Sequence, residues 1–488
     1  MNSEMKEKGL SNIAVRGTGW YFLSFFSGKL LSFLSTVILA RLLLKDDFGL
    51  VAYALTFITF LEVVNSFGID LSLVYHKESE AASNASFWLT LGIGLILFLV
   101  TLVSAPIVGS FFRDARVVPM VRVLGLTFPL QALGGTHSFL LQKKLAFGLK
   151  FVPDFTKSIT KAAISITFAY LGYGSWSLIW GQVGGTALAV LALWIIFPWR
   201  PAFLFDTVAA RSLLSYGTKI MSVDIVSIFA SNIDYLFVGR YLGSEVLGVY
   251  TLAFRLPELL IGGFARIIGN VIFPIFTHIK NTTGDLSRGV YETTKYVALI
   301  TLPLGVGLAL VARPFTIVVF TEKWIDLFPI MQALAIFAMI NTIAYNIGTF
   351  FKAIGFPQII TWLEVARLLL LVPSFAWAVL EVRSVILVAW VHAFVSLLLS
   401  IVTVYIAVRR SDITWGGYIR AVMLPALALV PMTLTVLTVM KLTQEMSPWV
   451  QLINSILSGA MAYLLILWVF QKELILDVFR RLMKAIAR

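Results

Sequence analysis

No cysteine occurs anywhere in the 488 residues. That excludes disulfides, thiolate metal centres and cysteine nucleophiles. Charge is also scarce: Asp, Glu, Lys and Arg make up 13% of the chain, against about 25% in an ordinary soluble domain. Only four histidines are present, His76, His137, His278 and His392. They lie far apart with no HxxxH-type spacing, so no metal site is expected. Loops between apolar blocks stay under roughly 20 residues, too short to hold a catalytic or nucleotide-binding domain. No GxxxxGK[ST] phosphate loop is found, so uphill movement of a cargo would not draw on the chain's own ATP hydrolysis. The first apolar stretch, 17–40, is too long for the core of a cleavable signal peptide.

Apolar residues are what the chain has in excess. They reach 59% of the sequence and come in long blocks. Phe87–Val108, Val385–Val408 and Ile453–Phe470 carry no acidic or basic residue other than His392. About 20 such residues cross the roughly 30 Å hydrocarbon layer as a helix. Blocks between charged or Gly/Pro breaks predict an all-α integral membrane protein of about fourteen spans, near 18–40, 48–69, 86–110, 117–141, 155–172, 176–197, 213–240, 246–275, 291–312, 326–350, 357–380, 385–408, 418–440 and 450–470. Alternate loops then divide the cations about twenty to about nine, with the N-terminus, Lys143, Lys144, Arg200, Arg211 and the tail on the richer side. Both termini are therefore expected in the cytoplasm. The net charge of +13 serves this orientation. No base-reading or base-stacking module accompanies it, so no nucleic-acid partner is expected. The tail Glu473–Arg488 alternates apolar and basic residues at helical spacing, as an inner-leaflet segment does.

The sequence repeats itself. Arg41–Gly49 and Arg240–Gly248, offset by 199, share R-x-L-x-x-[DE]-x-[FL]-G. Phe128-Pro129 to Leu133 is echoed by Phe328-Pro329 to Leu334 with one inserted residue. Six spans separate the copies. An even number gives parallel repeats related by an axis along the membrane normal, an arrangement that transporters use with the substrate near the midplane. The expected division is 1–198 and 199–410 as two six-helix bundles, with 411–488 adding two helices and an amphipathic tail.

Ionisable residues inside a bilayer cost about 2.5–3.5 kcal/mol each on insertion scales and by default face an interior. The deeper ones cluster on repeat-equivalent spans. Span 1 has Lys29, span 2 Glu62, span 7 Lys219, Asp224 and Asp234, span 8 Arg255, Glu258 and Arg266, and span 11 Glu364 and Arg367. At 100° per residue, Arg255, Glu258, Gly262 and Arg266 form one stripe. Arginine grips phosphate bidentately, which suits an anionic cargo. Lys29, Glu62, Lys219, Arg255, Glu258, Arg266 and Arg367 are the candidate substrate-cavity residues. Asp224, Asp234 and Glu364 are the candidates for ion coupling. Structural pairing competes for several of them: Arg255 with Glu258, Lys29 with Glu62, and Glu364 with Arg367. Leu256-Pro257 is expected to break span 8 beside the charged stripe.

With Arg41–Gly49 followed by Tyr53, Arg240–Gly248 followed by Tyr250, and the basic loop Leu141–Phe147, the chain resembles the polysaccharide transporter (Wzx-type) branch of the multidrug/oligosaccharidyl-lipid/polysaccharide flippase superfamily. Within that branch it is similar to exporters of colanic and teichuronic acid repeat units. The resemblance implies two pseudo-symmetric bundles in a V around a central cavity, walled largely by spans 1, 2, 7 and 8. It implies a bacterial cytoplasmic (inner) membrane protein that flips undecaprenyl-pyrophosphate-linked oligosaccharide for cell-surface polysaccharide export, working with a polymerase and export machinery. No cofactor is implied, only coupling to an H+ or Na+ gradient. The competing readings are a drug/cation antiporter of the same superfamily and a membrane saccharide polymerase. The latter needs an external loop or an acid/base cluster that the sequence lacks.

Overall fold

The computed structural model describes residues 26–66, 79–263, 272, 276, 279 and 286–486, without the side chains of 66, 216–224 and 471–486. Among them the chain is all helical. In order come α1 (26–42), α2 (Lys45–Ser66), α3 (Glu80–Phe112), α4 (Val117–Gly125), α5 (Thr127–Lys143), α6 (Phe147–Tyr170), α7 (Trp176–Ile196), α8 (Thr207–Leu242) and α9 (Ser244–Pro257). A π-helical turn, Glu258–Gly262, follows, then α10 (Leu286–Phe320), α11 (Leu327–Ile354), α12 (Gln358–Leu380), α13 (Val385–Arg410), α14 (Trp415–Leu427), α15 (Leu429–Leu442) and α16 (Pro448–Ile486). Among the described residues, ten helical segments are long and apolar enough to cross a membrane. α6 falls outside that set although it has 24 residues, because its apolar run is interrupted by Asp154, Lys157 and Lys161.

Helix ends follow the sequence. Ser79, Asp206, Ser384 and Thr414 cap α3, α8, α13 and α14 through side-chain oxygens, which satisfy first-turn amides that have no helical partner. Gly355, at φ 90°, ends α11 in the left-handed region. Two expected spans, 117–141 and 418–440, lie within single membrane-length segments, Val117–Lys143 and Trp415–Leu442, each with a one-residue irregularity, at Leu126 and Ala428. In each, a proline stands four residues past the last regular residue, Pro129 after Gly125 and Pro431 after Leu427. It has no N–H to offer that carbonyl, so the helix kinks there.

The chain folds as two compact units, Met1–Thr251 and Leu252–Arg488. In the first, α6 and α7 meet along glycines. A Cβ on Gly185 would lie 2.8 Å from the Lys157 carbonyl, and one on Gly181 2.9 Å from the Lys161 carbonyl. This GxxxG spacing lets two backbones approach where no hydrophobic force drives helices together. α5 packs on α3, where Gly94 faces the Phe128 carbonyl. In the second unit, α10, α11 and α13 enclose a core of Phe276, Val290, Phe350, Phe351 and Val404. α15 and α16 close against α10 through Met432, Val436 and Tyr463, and the Tyr463 hydroxyl donates to the Leu299 carbonyl at 3.0 Å. The two added C-terminal helices thus belong to the second unit's core. Apolar side chains such as Val103, Ile107, Leu457 and Val469 are more than 60% exposed, as lipid-facing positions are.

Candidate functional site

The two repeat copies meet. α2 and α9 each begin with the second half of the repeated pattern, and the two helix starts lie against each other. A Cβ on Gly49 would collide with the Ser244 carbonyl, and one on Gly248 with the Lys45 carbonyl and, at 2.9 Å, the Gly49 amide. Lys45 and Ser244 are themselves equivalent at the 199-residue offset, so the contact is reciprocal. Only glycine allows this approach. Around it, the Ser244 hydroxyl hydrogen-bonds the Asp46 carboxylate. Arg116 joins Asp46 and Asp114 through ion pairs of 2.7 Å each. These hydrogen bonds, that to Asp114 foremost, hold the Asp114 carboxyl below the usual carboxylate range and push the Arg116 guanidinium further up. Deeper, the buried Tyr53 hydroxyl donates to the Gly239 carbonyl at 3.0 Å, and its ring stacks on Phe112 with centroids 4.1 Å apart.

One turn below lies a buried carboxylate. Asp234 on α8 is fully buried. The hydroxyl of Tyr250, also fully buried, donates to its Oδ2 at 2.6 Å, and the Tyr235 ring meets Tyr250 edge-on.

A third group lies within α2, α5 and α6. Glu62 hydrogen-bonds Gln131 and feels the ammonium groups of Lys157 and Lys161. The Gln131 side-chain oxygen accepts from Asn65 at 3.3 Å. Lys29 on α1 is half-buried. Its helix approaches α6 where Gly28 faces the Ser158 hydroxyl. Gln131 and the two lysines of α6 thus flank Glu62.

In the second unit, Glu364 and Arg367 pair on α12 at 3.3 Å, as their spacing allows. Arg367 also donates to Asn341 of α11 at 3.0 Å, and its buried Nε has no hydrogen-bond partner among the described residues. Arg255 ends α9, and Glu258 opens the π turn, its carboxylate folded over Gly262. The break at Pro257 is where the sequence puts it. A π turn has i→i+5 bonding, so the 100° spacing assumed for the stripe is altered between Glu258 and Gly262, while Arg255 and Glu258 keep their i,i+3 relation. Arg266 and the side chains of Lys219 and Asp224 lie outside the described residues. Among those described, no three His, Asp or Glu side chains converge to hold a metal.

Sequence reasoning had Tyr250 only as a motif position and missed its partner, and it missed Gln131 and the Asp46–Arg116–Asp114 group. Asp46 and Glu245 were in view as pattern positions, but nothing in a linear pattern says that the two copies touch.

Residues 38–329 match the family described as "Polysaccharide biosynthesis protein". The chain is 27% identical over 418 residues to the teichuronic acid biosynthesis protein TuaB of Bacillus subtilis, covering 84% of this chain and 85% of that one. It is 26% identical over 378 residues to the succinoglycan biosynthesis transport protein ExoT of Rhizobium meliloti, covering 77% and 76%. It is 24% identical over 347 residues to the lipopolysaccharide biosynthesis protein WzxC of Escherichia coli, covering 70% of each. In fold it is similar to the lipid II flippase MurJ in an inward closed conformation, with TM-score 0.75 at 16% identity over 93% of this chain and 99% of that one. It is less similar to an inward-facing multidrug resistance MATE transporter of the MOP superfamily, with TM-score 0.62 at 15% identity over 82% and 94%.

Proposed function

The chain belongs to the polysaccharide biosynthesis protein family, and from that premise we propose that it flips polyprenyl-pyrophosphate-linked oligosaccharide repeat units from the cytoplasmic to the outer leaflet. The observation that carries this reading is that TuaB, ExoT and WzxC, each named for making or transporting a polysaccharide, align with at least 70% of the chain. Fold likeness to a lipid II flippase supports it, because that protein also moves a lipid-linked saccharide by name. A drug/cation antiporter is the second reading, favoured by the likeness to a multidrug transporter.

The mechanism follows from the charges. A pyrophosphate needs cations along its path, and Arg367, Arg255, Lys29, Lys157 and Lys161 supply them in the two halves. Arg266 and Lys219 belong to the same set, and Glu62 and Glu258 balance it. Fourteen spans in two pseudo-symmetric six-helix halves, 1–198 and 199–410, would alternate access, with the Gly49–Gly248 contact made in one state and parted in the other. The reciprocal contact supports that symmetry. Asp234, with Asp224 and Glu364, is the candidate for an H+ or Na+ to act on. The protein would lie in a bacterial cytoplasmic membrane with both termini inside. The α1–α2 and α8–α9 turns would then face outward. A polymerase would receive the product.

Purified protein in liposomes, loaded with fluorescent lipid-linked oligosaccharide on the inside, tests it. Outward appearance of the saccharide is expected. Efflux of organic cations with no saccharide flipping would establish the antiporter reading instead.

A further inference from the structure

A cup of about 400 Å3 opens in the first unit beside the α2 start, walled by Asp46, Arg116, Met120, Tyr173 and Trp176. Its far wall is the α6–α7 turn. Gly172 and Gly174 stand at φ 84° and 53°, positions that other residues adopt with strain. Asp47 fixes this turn. Its Oδ1 accepts the Ser175 amide at 2.8 Å, while Oδ2 accepts the Leu44 amide at 2.9 Å. A Cβ on Gly174 would come within 2.9 Å of that carboxylate. The turn is thereby held on the helix start, and Tyr173 and Trp176 are held with it. One face of the Tyr173 ring stacks on Phe168 at 5.2 Å, yet the residue is 56% exposed, so its other face is open to a ligand.

We propose that this cup binds a neutral pyranose residue of the translocated glycan. The inference rests on the flippase reading, which turns this end of the unit outward. Ring C–H groups of a pyranose lie flat on an aromatic face, and its hydroxyls meet planar carboxylate and guanidinium groups. The charge balance selects neutrality. Asp46, Asp47 and the adjoining Asp114 outnumber Arg116, the cation of the wall, so a uronic acid is repelled while a hydroxyl donor is welcomed. Arg116 and Asp46 keep 58% and 35% of their side chains exposed, so a sugar reaches them without unfolding anything. Asp46 is also the carboxylate that holds the Ser244 hydroxyl. A pyranose hydroxyl that engages Asp46 competes with Ser244. Occupancy of the cup therefore works on the contact between the two repeat copies.

Saturation-transfer NMR on the full chain in nanodiscs tests this, with the methyl glycosides of glucose, galactose, mannose and N-acetylglucosamine as probes and glucuronate as the charged control. Transfer to ring protons of at least one neutral glycoside is expected. It should fall at least fivefold in Tyr173→Ala/Trp176→Ala, and glucuronate should give none. Thermal melting and size exclusion of the variant establish that it is folded; Tyr173→Ala alone serves if the double variant is not. No transfer to any neutral glycoside, or transfer that survives in the folded variant, overturns the proposal. Glycoside binding at the cup in a protein that moves no lipid-linked saccharide in liposomes would instead remove the flippase reading and leave the cup.

Discussion

Gly49 and Gly248 hold the same place in the two copies of the repeated pattern, and each lies against the backbone that begins the other's helix. Neither position has room for a side chain. Gly49→Leu or Gly248→Leu must therefore push α2 and α9 apart or strain both. Overpacking of this kind costs roughly 1–3 kcal/mol. A lower melting temperature and a translocation rate reduced at least tenfold are expected, read in detergent and in liposomes. Wild-type behaviour of both variants would show that the contact is dispensable.

The absence of native cysteine makes the same contact directly observable. In Asp46→Cys/Ser244→Cys the two thiols replace a hydrogen-bonded pair. Oxidant should join them within the chain, and translocation should stop until a reductant is added. Equal turnover of the cross-linked and reduced forms would mean that the helix starts never separate.

Tyr250→Phe removes the hydroxyl that reaches Asp234 and leaves the ring. Leaving a buried polar group without its partner costs about 1–3 kcal/mol, so loss of that order in unfolding free energy is expected. Asp234→Asn keeps the shape and removes the charge. Its translocation should no longer respond to an imposed H+ or Na+ gradient, measured by gradient reversal in liposomes. An unchanged gradient response would take coupling away from Asp234.

Acid should loosen the α2 start. Arg116 holds the Asp114 carboxyl below its ordinary value, so the pair's contribution is complete above about pH 4. It is lost as pH falls further, through the folded-state value. The effect is small, since Arg116 is 58% exposed and water screens the pair. Cross-linking of Asp46→Cys is unsuitable as a readout because it removes a partner. Proteolysis at the 113–116 turn is suitable: it should rise below about pH 4 in the wild type. In Arg116→Gln, proteolysis should already be raised at neutral pH and change little on acidification.

Glu62 and the α6 lysines form one electrostatic group. Lys157→Ala/Lys161→Ala leaves a carboxylate inside the unit without its cations. Removing Glu62 as well, as Glu62→Gln, should restore part of the lost stability, because an uncompensated buried charge is the larger penalty. Additive losses in a double-mutant cycle would show that the three side chains do not interact.

Hydropathy alone sets most of the architecture. Nearly every described helix starts or stops within several residues of an apolar block's edge, because an apolar run long enough to cross lipid has the helix as its only open form. Prolines alter the helices locally: Pro129 and Pro431 go with the irregularities at Leu126 and Ala428, and the turn after Pro257 winds as a π helix.

The charged positions were legible as costs, and so were the glycines of the repeat as a pattern. Their partners were not. Asp234 meets Tyr250 only because α8 and α9 fold back at Gly243, at φ 91°. Glu62 meets Gln131 and the lysines only because α2, α5 and α6 assemble. Gly49 meets the Ser244 carbonyl across about two hundred residues of chain. Sequence by itself determined that this protein lives in a bilayer, where its helices run, and that it carries a costly set of ionisable residues, since each of these depends on local composition. Which of those residues face one another, and that the two copies of the repeat touch at their glycines, the tertiary structure alone decided, since contact between distant segments depends on how helices pack and on no property of either segment alone.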